Sequence, residues 1–291
     1  MKLHPLMLLA LAPLVPWTQS RIDRSLGTVS VEPALYLRSG EHWRRVADGF
    51  SDLLADVYWL RTVQYFGSQR AFGGSNFALL RPLVEITTHL DPRMEIAYRY
   101  GATFLAEPFP AGAGDPAAAI AVLERGVRNL PGSWRLWQDL ALFHFFFLDD
   151  ARAAARVLLE AAERPDMPSQ IFKGLAADLL AQRGIRETSR ALWLRLYEEA
   201  EPGPMRENAL LHLRQLDALD AVDALGQAAE VFRARAGRWP SSLEEMRRFG
   251  RVQGRLADPV GTPFDYNPET GQVAVARESP LWRRSLAQGN R

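Results

Sequence analysis

The sequence predicts a mostly α-helical protein that ends in a small α+β region. Three observations favour this fold class. Apolar residues keep helical spacing from about residue 50 to residue 236, prolines recur at a 34-residue interval, and short extended segments separated by turn residues follow residue 220. The chain has 291 residues, of which 47% are hydrophobic and 24% charged. This is the composition of a folded globular protein, and the length suits one repeat array or two domains.

Residues 1–20 are expected to be a signal peptide or an N-terminal anchor. Lys2 precedes an apolar stretch at residues 5–17, and the small residues of a possible cleavage site follow at 18–20. The stretch is short for a membrane-spanning helix, which needs about 20 residues. A cleaved export signal is therefore the first interpretation, with an uncleaved anchor and an apolar but non-exported start as alternatives.

Residues 21–74 are expected to contain a polar, strand-tolerant stretch (27–38), a first helix and a Gly-rich loop. The sequence DLLADVYWLRTVQYFG places Leu53, Val57, Leu60 and Gln64 on one stripe of a helix. Gly67 is predicted to end this helix.

Residues 75–219 are predicted to form helical hairpins. Pro131 and Pro165 are 34 residues apart, as are Pro168 and Pro202, and an insertion (PFPAGAG) lengthens the interval from Pro92 to Pro131 to 39. Each interval contains two amphipathic helices with small residues where the helices would cross. Small residues let paired helices approach closely, and proline ends the second helix of each pair.

This pattern of large, small and aromatic positions followed by proline resembles the tetratricopeptide repeat (TPR) family over roughly residues 75–203. The resemblance implies an α-solenoid of TPR-like helical hairpins, whose first helices line a concave groove that binds other proteins. The residues that carry it are Gly101, Phe104, Ala119, Leu123 and Gly126, then Trp137, Leu140, Ala141, Ala154, Leu158 and Ala161, then Ala177, Leu180, Gly184, Trp193 and Leu196.

An aromatic run, WQDLALFHFFFLDD, lies in the middle of this region. It is too short to span a bilayer and is bracketed by acidic residues, so it is predicted to be a core helix that begins at Trp134 and ends near Leu148. His144 within it is expected to be a hydrogen-bonded core or groove residue and not a metal ligand.

Residues 220–291 are expected to form a long helix followed by a small α+β cap. Trp239 and Pro240 are predicted to stop the long helix, and Ser241 or Ser242 to cap a short helix that begins LEEM. The segment FDYNPETGQVAV has extended residues on both sides of an Asn-Pro-x-x-Gly turn, which predicts a β-hairpin.

The order GRWPSSLEEM, DPVGTPFDY, turn and short strand looks like the C-terminal body of type II secretion pseudopilins. That family places an apolar assembly helix directly before this body, whereas the whole helical region intervenes here. The resemblance therefore implies a shared α+β construction more than a filament subunit. Because some pseudopilins bind calcium here, Asp258, Asp265, Asn267 and Glu269 are candidate oxygen ligands, although the same residue types are common in tight turns.

The sequence contains no recognisable catalytic signature. It has no G-x-S-x-G, P-loop, H-E-x-x-H or G-x-G-x-x-G motif, and no two of its five histidines lie at helical ligand spacing. The absence of cysteine excludes disulfides, thiolate nucleophiles and Cys-ligated zinc. A formal net charge of +1 and dispersed basic pairs do not favour nucleic-acid binding. No catalytic residue, metal site, cofactor or nucleic-acid partner is predicted.

The expected binding site is the groove formed by the first helices of the hairpins. When Gly101 and Ala141 are taken as equivalent small positions, a mixed polar and aromatic set faces the groove, which suits a peptide segment or a helix. The alternative is that several of these side chains face neighbouring hairpins. The predicted groove residues are Glu95, Tyr98, Ala102 and Leu105 in one hairpin, and Arg135, Gln138, Leu142 and Phe145 in the next.

The expected function is a non-catalytic TPR-type protein-binding scaffold of the bacterial cell envelope, exported to the periplasm or tethered to the inner membrane through its N-terminus. The pseudopilin resemblance favours a role in assembling a pilus or secretion machine. One alternative is a structural subunit of a membrane-anchored envelope complex, held by an uncleaved N-terminal helix. Another is an enzyme whose site assembles from scattered polar residues.

Overall fold

The computed structural model describes residues 49–71, 76–249 and 256–283. These residues form ten helices and one two-stranded antiparallel sheet. The predicted mostly α class with a small C-terminal β-hairpin is therefore confirmed. The predicted signal peptide or anchor at 1–20, the strand-tolerant stretch at 27–38 and residues 72–75 of the Gly-rich loop lie outside the described residues.

The first eight helices form pairs and precede one long helix. The helices are α1 (Ser51–Ala71), α2 (Leu80–Leu90), α3 (Glu95–Ala106), α4 (Pro116–Asn129), α5 (Trp134–Phe147), α6 (Ala151–Ala162), α7 (Ser169–Gln182), α8 (Arg186–Glu199) and α9 (Pro204–Ala236). In the described part of the chain, each odd-numbered helix up to α7 packs along the even-numbered helix that follows it, so that four helical hairpins form and each contacts the next. Helix α3 also contacts α1 and α5 directly.

Side-chain caps fix where several of these helices begin. The side chains of Asp115, Ser133 and Asp150 each accept a hydrogen bond from the backbone N–H three residues later, at the starts of α4, α5 and α6. Such a cap satisfies one of the N–H groups that the first turn of a helix leaves without a partner.

The capping positions also give the register between hairpins. For the first helices, Ser133 before α5 lies 39 residues after Met94 before α3, and Pro168 before α7 lies 35 residues after Ser133. For the second helices, Asp150 before α6 lies 35 residues after Asp115 before α4. These offsets identify equivalent residues in successive hairpins.

Two glycines allow close helix contacts in the first hairpins. A Cβ atom on Gly101 of α3 would lie 2.7 Å from Cγ1 of Val84 in α2, and one on Gly126 of α4 would lie 3.0 Å from Cγ of Tyr98 in α3. Both distances are shorter than ordinary van der Waals contact, so only glycine fits without a shift of the neighbour. Close approach at small residues is what the sequence predicted.

The predicted end of the first helix at Gly67 is wrong, because α1 continues to Ala71. Contacts on both sides of the glycine support this last turn. The ring of Phe66 stacks on that of Phe104 with centroids 4.0 Å apart, and Arg70 Nη1 lies 3.3 Å from Glu107 Oε2. Tertiary packing therefore outweighs the cost of about 1 kcal/mol for a glycine inside a helix.

The aromatic run forms α5, as predicted, but it is not buried on all sides. Phe145 is 2% exposed, whereas the adjacent Phe146 is 67% exposed. The prediction of a core helix is therefore right for Phe145 and wrong for Phe146. Successive helical residues point about 100° apart, so one phenylalanine can face the core while its neighbour faces solvent.

The C-terminal region has its own apolar core. The left-handed Gly237 (φ +73°) ends α9, and the Ser242 hydroxyl accepts a hydrogen bond from the N–H of Glu245 to cap helix α10 (Leu243–Arg248), as predicted. Strands β1 (Asp265–Tyr266) and β2 (Val273–Ala274) form the predicted hairpin, with Asp265 opposite Ala274 and Tyr266 opposite Val273. The core contains Val222, Leu225, Met246, Phe264 and Leu281.

The predicted boundary between residues 219 and 220 falls inside α9, so the hairpin region and the C-terminal region share one continuous helix. No helix within the described ranges is both long enough and apolar enough to cross a membrane.

Candidate protein-binding face

The predicted groove residues fall into two groups. Arg135 is exposed, and Glu95, Gln138 and Leu142 are half-buried, so these four are accessible at the surface of α3 and α5. In contrast, Tyr98, Leu105 and Phe145 are 0%, 1% and 2% exposed, and Ala102 is also fully buried. The prediction that these four side chains line an open groove is wrong.

The physical reason is an error of one residue in the assumed equivalence. The sequence pattern pairs Gly101 with Ala141, an offset of 40 residues, but the helix starts give an offset of 39. Gly101 is thus equivalent to Leu140, and its contact with Val84 turns that side of α3 toward α2. The same orientation of α3 buries Tyr98, whose hydroxyl donates a hydrogen bond to the backbone oxygen of Thr88 at 3.2 Å.

In the correct register, the solvent-exposed residues of α3 and α5 occupy equivalent positions. Ile96 and Tyr100 of α3 are 49% and 52% exposed, and Arg135 and Phe146 of α5 are also exposed. On both helices the exposed side carries residues at i, i+3, i+4 and i+7 positions, which share one side of an α-helix, and on α5 Phe146 continues it at i+11. The equivalent pairs are Ile96 and Arg135, Arg99 and Gln138, Tyr100 and Asp139, and Thr103 and Leu142.

Large exposed apolar side chains are concentrated on the odd-numbered helices. Among the described residues, α2, α4 and α6 have no exposed large hydrophobic side chain, whereas α1, α3, α5 and α7 all have at least one. Monomeric proteins rarely leave such side chains together on one surface unless it binds a partner. Those on α1, α3, α5 and α7 are Leu53, Val57, Leu60, Val63, Ile96, Tyr100, Trp134, Phe146 and Ile171, each between 39% and 67% exposed. Helix α8 has one such side chain (Leu194), and α9 has two (Leu211 and Val231).

Helices α1, α3 and α5 are held side by side by aromatic and charged contacts. Arg99 Nε of α3 donates to Asp139 Oδ2 of α5 at 2.5 Å, and this hydrogen bond raises the pKa of Arg99. Trp59 of α1 stacks on Phe104 of α3 with an interplanar angle of 4°. The surface of α1, α3 and α5 that carries Leu60, Ile96, Tyr100, Arg135, Leu142 and Phe146 is called the odd-helix face below.

The guanidinium of Arg135 lies over the ring of Trp134, 4.6 Å from its centroid. This cation–π contact holds the exposed positive charge at the start of α5. The odd-helix face therefore combines apolar side chains with a positive charge that a partner can reach.

A polar cluster in the hairpin region was not anticipated from the sequence. Arg283 donates to both carboxylate oxygens of Asp178, at 3.0 and 3.2 Å, and Nδ1 of His212 lies 3.2 Å from Asp178 Oδ1. The His212 ring stacks on Trp193 with centroids 3.9 Å apart, and burial lowers the pKa of His212. The cluster ties α7, α8 and α9 to the C-terminal segment.

Two of the candidate calcium ligands, Asp258 and Asn267, form hydrogen bonds within the turns that contain them. Asp258 is 2% exposed, and its Oδ1 accepts hydrogen bonds from the N–H groups of Val260 and Thr262. Asn267 Oδ1 accepts one from the N–H of Glu269. Nowhere in the described ranges do three or more His, Asp or Glu side chains form a group able to hold a metal ion.

No family model matches this chain, and searches among curated proteins and solved structures also give no match.

Proposed function

We propose that this chain is a non-catalytic helical-repeat scaffold of the TPR type that binds another protein through the odd-helix face. The observation that carries the proposal is the uneven distribution of exposed apolar side chains. Helices α2, α4 and α6 bury theirs, whereas Leu60, Ile96, Tyr100 and Phe146 are each at least 49% exposed within the described part of the chain. Transferring this surface from water to a partner provides the free energy of binding.

The proposed partner segment is an amphipathic helix or extended peptide with apolar residues and at least one acidic residue. Its apolar side chains contact Tyr100 and Phe146, and its carboxylate meets the exposed guanidinium of Arg135. Arg99 is already bonded to Asp139, so Arg135 is the cation through which the face selects an acidic partner.

The proposed location is the bacterial cell envelope, and the proposed role is assembly of a pilus or secretion machine. The apolar N-terminal sequence supports an exported or tethered protein, and the pseudopilin-like order of the C-terminal region supports the choice of machine. The sequence of the N-terminus of the mature protein tests the location. A start at Arg21 supports an exported scaffold, whereas retention of Met1 in the membrane fraction supports the alternative of an anchored structural subunit.

The test of binding compares variants on and off the odd-helix face. The full chain with a C-terminal tag is crosslinked in its native cells, captured, and the proteins recovered with it are identified and quantified. We expect Arg135→Glu and Phe146→Ser each to reduce the recovered partner about tenfold or more. Leu194→Ser is the control, because Leu194 is also exposed (46%) but lies on α8.

Neither face variant should lower the melting temperature of the purified protein, since substitutions at exposed positions rarely change stability. Equal recovery with all three variants would contradict the proposal, as would recovery of no partner with the unmodified chain.

A further inference from the structure

A second candidate site lies on the side of α5 opposite the odd-helix face. It is a cleft of about 630 Å³ between α4, α5 and α6, and its α5 residues are Trp137, Leu140 and His144. These point away from Arg135 and Phe146, because residues on an α-helix turn by about 100° each. Binding sites for small groups typically have volumes of about 300–1,000 Å³.

The floor of the cleft is apolar and firmly held. Val127, Trp137 and Leu140 are at most 7% exposed, and Val157 completes the floor. The indole N–H of Trp137 donates to the backbone oxygen of Pro131 at 3.1 Å, which fixes the orientation of the ring. The floor therefore suits an apolar side chain.

Two polar atoms at the cleft are buried without a hydrogen-bond partner. They are Nδ1 of His144 and Nε of Arg164. Burial lowers the pKa of His144, so its imidazole is neutral at neutral pH. An unpaired buried donor or acceptor destabilises the free protein, and a ligand with matching groups would recover that free energy.

Neighbouring hairpins have an apolar residue where α5 has this histidine. The helix offsets of 39 and 35 residues make Leu105 of α3 and Leu179 of α7 equivalent to His144. These leucines are 1% and 3% exposed. The equivalent core position is therefore leucine in the α3–α4 and α7–α8 hairpins but histidine in the α5–α6 hairpin.

The hairpin before also closes the space that is open here. The offset of 35 residues makes Arg125 equivalent to Glu160, and Asn129 equivalent to Arg164. Arg125 Nη1 donates to a threonine hydroxyl of α2 at 3.1 Å, and Asn129 Nδ2 donates to the hydroxyl of Tyr98 at 2.8 Å. Polar side chains that bridge helices in the α3–α4 hairpin are replaced by side chains that leave a cleft in the α5–α6 hairpin.

The charges around the cleft cancel. Glu124 and Arg128 stand on α4 with 4.0 Å between charged atoms, and Glu160 and Arg164 stand on the opposite side at 3.2 Å. The guanidinium of Arg164 also lies 4.6 Å from the ring centroid of Trp137. Because each positive charge is next to a negative one, the cleft favours neither an anion nor a cation.

We propose that this cleft binds a neutral peptide segment of a partner protein, with one apolar side chain on the floor and a backbone amide between His144 and Arg164. The amide oxygen accepts a hydrogen bond from Nε of Arg164, and an amide N–H donates to Nδ1 of His144. An amide supplies both groups without a net charge, as the balanced surroundings require. The site is separate from the odd-helix face, so either can fail without the other.

The first experiment titrates the full chain with N-acetyl-leucinamide, which has an apolar side chain and two neutral amides. The imidazole signals of His144, assigned by their loss in His144→Gln, are followed by NMR. We expect them to shift with a dissociation constant in the millimolar order, as suits so small a ligand. The signals of His212, which is outside the cleft, should stay unchanged and serve as an internal control.

Charged analogues and a longer probe test the ligand class. N-acetyl-leucine and leucinamide differ from the first probe by one negative and one positive charge, and each should bind about tenfold more weakly because its charge must be desolvated. The blocked tripeptide N-acetyl-Ala-Leu-Ala-amide should bind several-fold more tightly. Equal affinity for the tripeptide and the single residue would overturn a peptide ligand, and tighter binding of either charged analogue would overturn a neutral one.

Two variants test the location, with probe binding followed through the ligand signals. Val157→Trp fills the cleft, and His144→Leu installs the residue of the neighbouring hairpins, so the second is expected to fold even if the first does not. Both should reduce binding at least tenfold, whereas Val231→Trp on the exposed side of α9 should not. Unchanged binding by His144→Leu, or no shift of His144 signals in the unmodified chain, would overturn the proposal.

Discussion

The hairpins α3–α4 and α5–α6 place an aromatic residue at the same position but enclose it differently. Tyr98 of α3 is fully buried against Gly126, and its hydroxyl has two hydrogen-bond partners. Trp137, 39 residues later, is also buried but borders an open cleft beside His144. The backbone register is the same in both, so the side chains around the aromatic ring decide whether a hairpin has a closed core or a binding cleft.

The largest expected effect comes from making the closed hairpin resemble the open one. Leu105→His replaces a leucine that is 1% exposed with a polar imidazole. We expect the free energy of unfolding to fall by about 2–5 kcal/mol, from lost apolar burial and the burial of a polar group. Urea unfolding followed by circular dichroism measures the change. A loss below about 1 kcal/mol would mean that the α3–α4 hairpin also has room for a polar ring.

A smaller loss is expected when the close contact between α2 and α3 is obstructed. Gly101→Ala places a methyl group 2.7 Å from Val84 Cγ1, and the resulting shift should cost about 1–3 kcal/mol. Gly226→Ala in α9 is the matched control, since a Cβ atom there meets nothing within 4 Å. The control should gain about 0.5–1 kcal/mol from helix propensity. Similar changes in both variants would show that α2 and α3 are not in close contact.

The reverse exchange in the open hairpin should stabilise the protein. His144→Leu removes a buried nitrogen that has no partner and adds apolar surface, so we expect a gain of about 1 kcal/mol in the free energy of unfolding. The same urea experiment measures it. A clear loss of stability would indicate that His144 has a structural role that a leucine cannot take over.

The smallest effect is a change in pH dependence. Burial lowers the pKa of both His144 and His212 below the ordinary value of 6.5. Below that pH the unfolded chain binds protons that the folded chain does not, so the free energy of unfolding should decrease as the pH falls from 6.5 toward the lowered values. Above 6.5 these two histidines should add no pH dependence.

Thermal unfolding across this pH range checks the sign. His144→Leu should show a shallower loss of stability at acid pH than the unmodified chain, because only His212 of the pair remains. Parallel curves for the two proteins would contradict the assignment of a lowered pKa to His144.

Much of the helical fold could be predicted from local sequence signals. Apolar spacing located the helices, Ser242 identified the cap of α10, and the Asn-Pro-x-x-Gly turn predicted the hairpin. These features depend on neighbouring residues, whose interactions the sequence displays directly. The end of α1 was missed because contacts of Phe66 and Arg70 with distant residues extend the helix beyond Gly67.

The candidate face was only half predictable. One residue of error turns a helix by about 100°, so pairing Gly101 with Ala141 gave buried residues on α3. The separation of 39 residues between Pro92 and Pro131 equals the correct offset between equivalent positions of α3 and α5. No local signal separated Phe145 from Phe146, and none joined Arg283 to Asp178, because those contacts exist only in the assembled fold.

The pair of Arg283 and Asp178 connects residues 105 positions apart. Closing so long a loop costs more chain entropy than joining adjacent helices, so this contact depends on hairpins that can form without it. In mechanical terms, the pair links the segment that follows β2 to α7. A force applied to the chain beyond Arg283 is therefore transmitted to α7 before it can extend the short hairpin of β1 and β2.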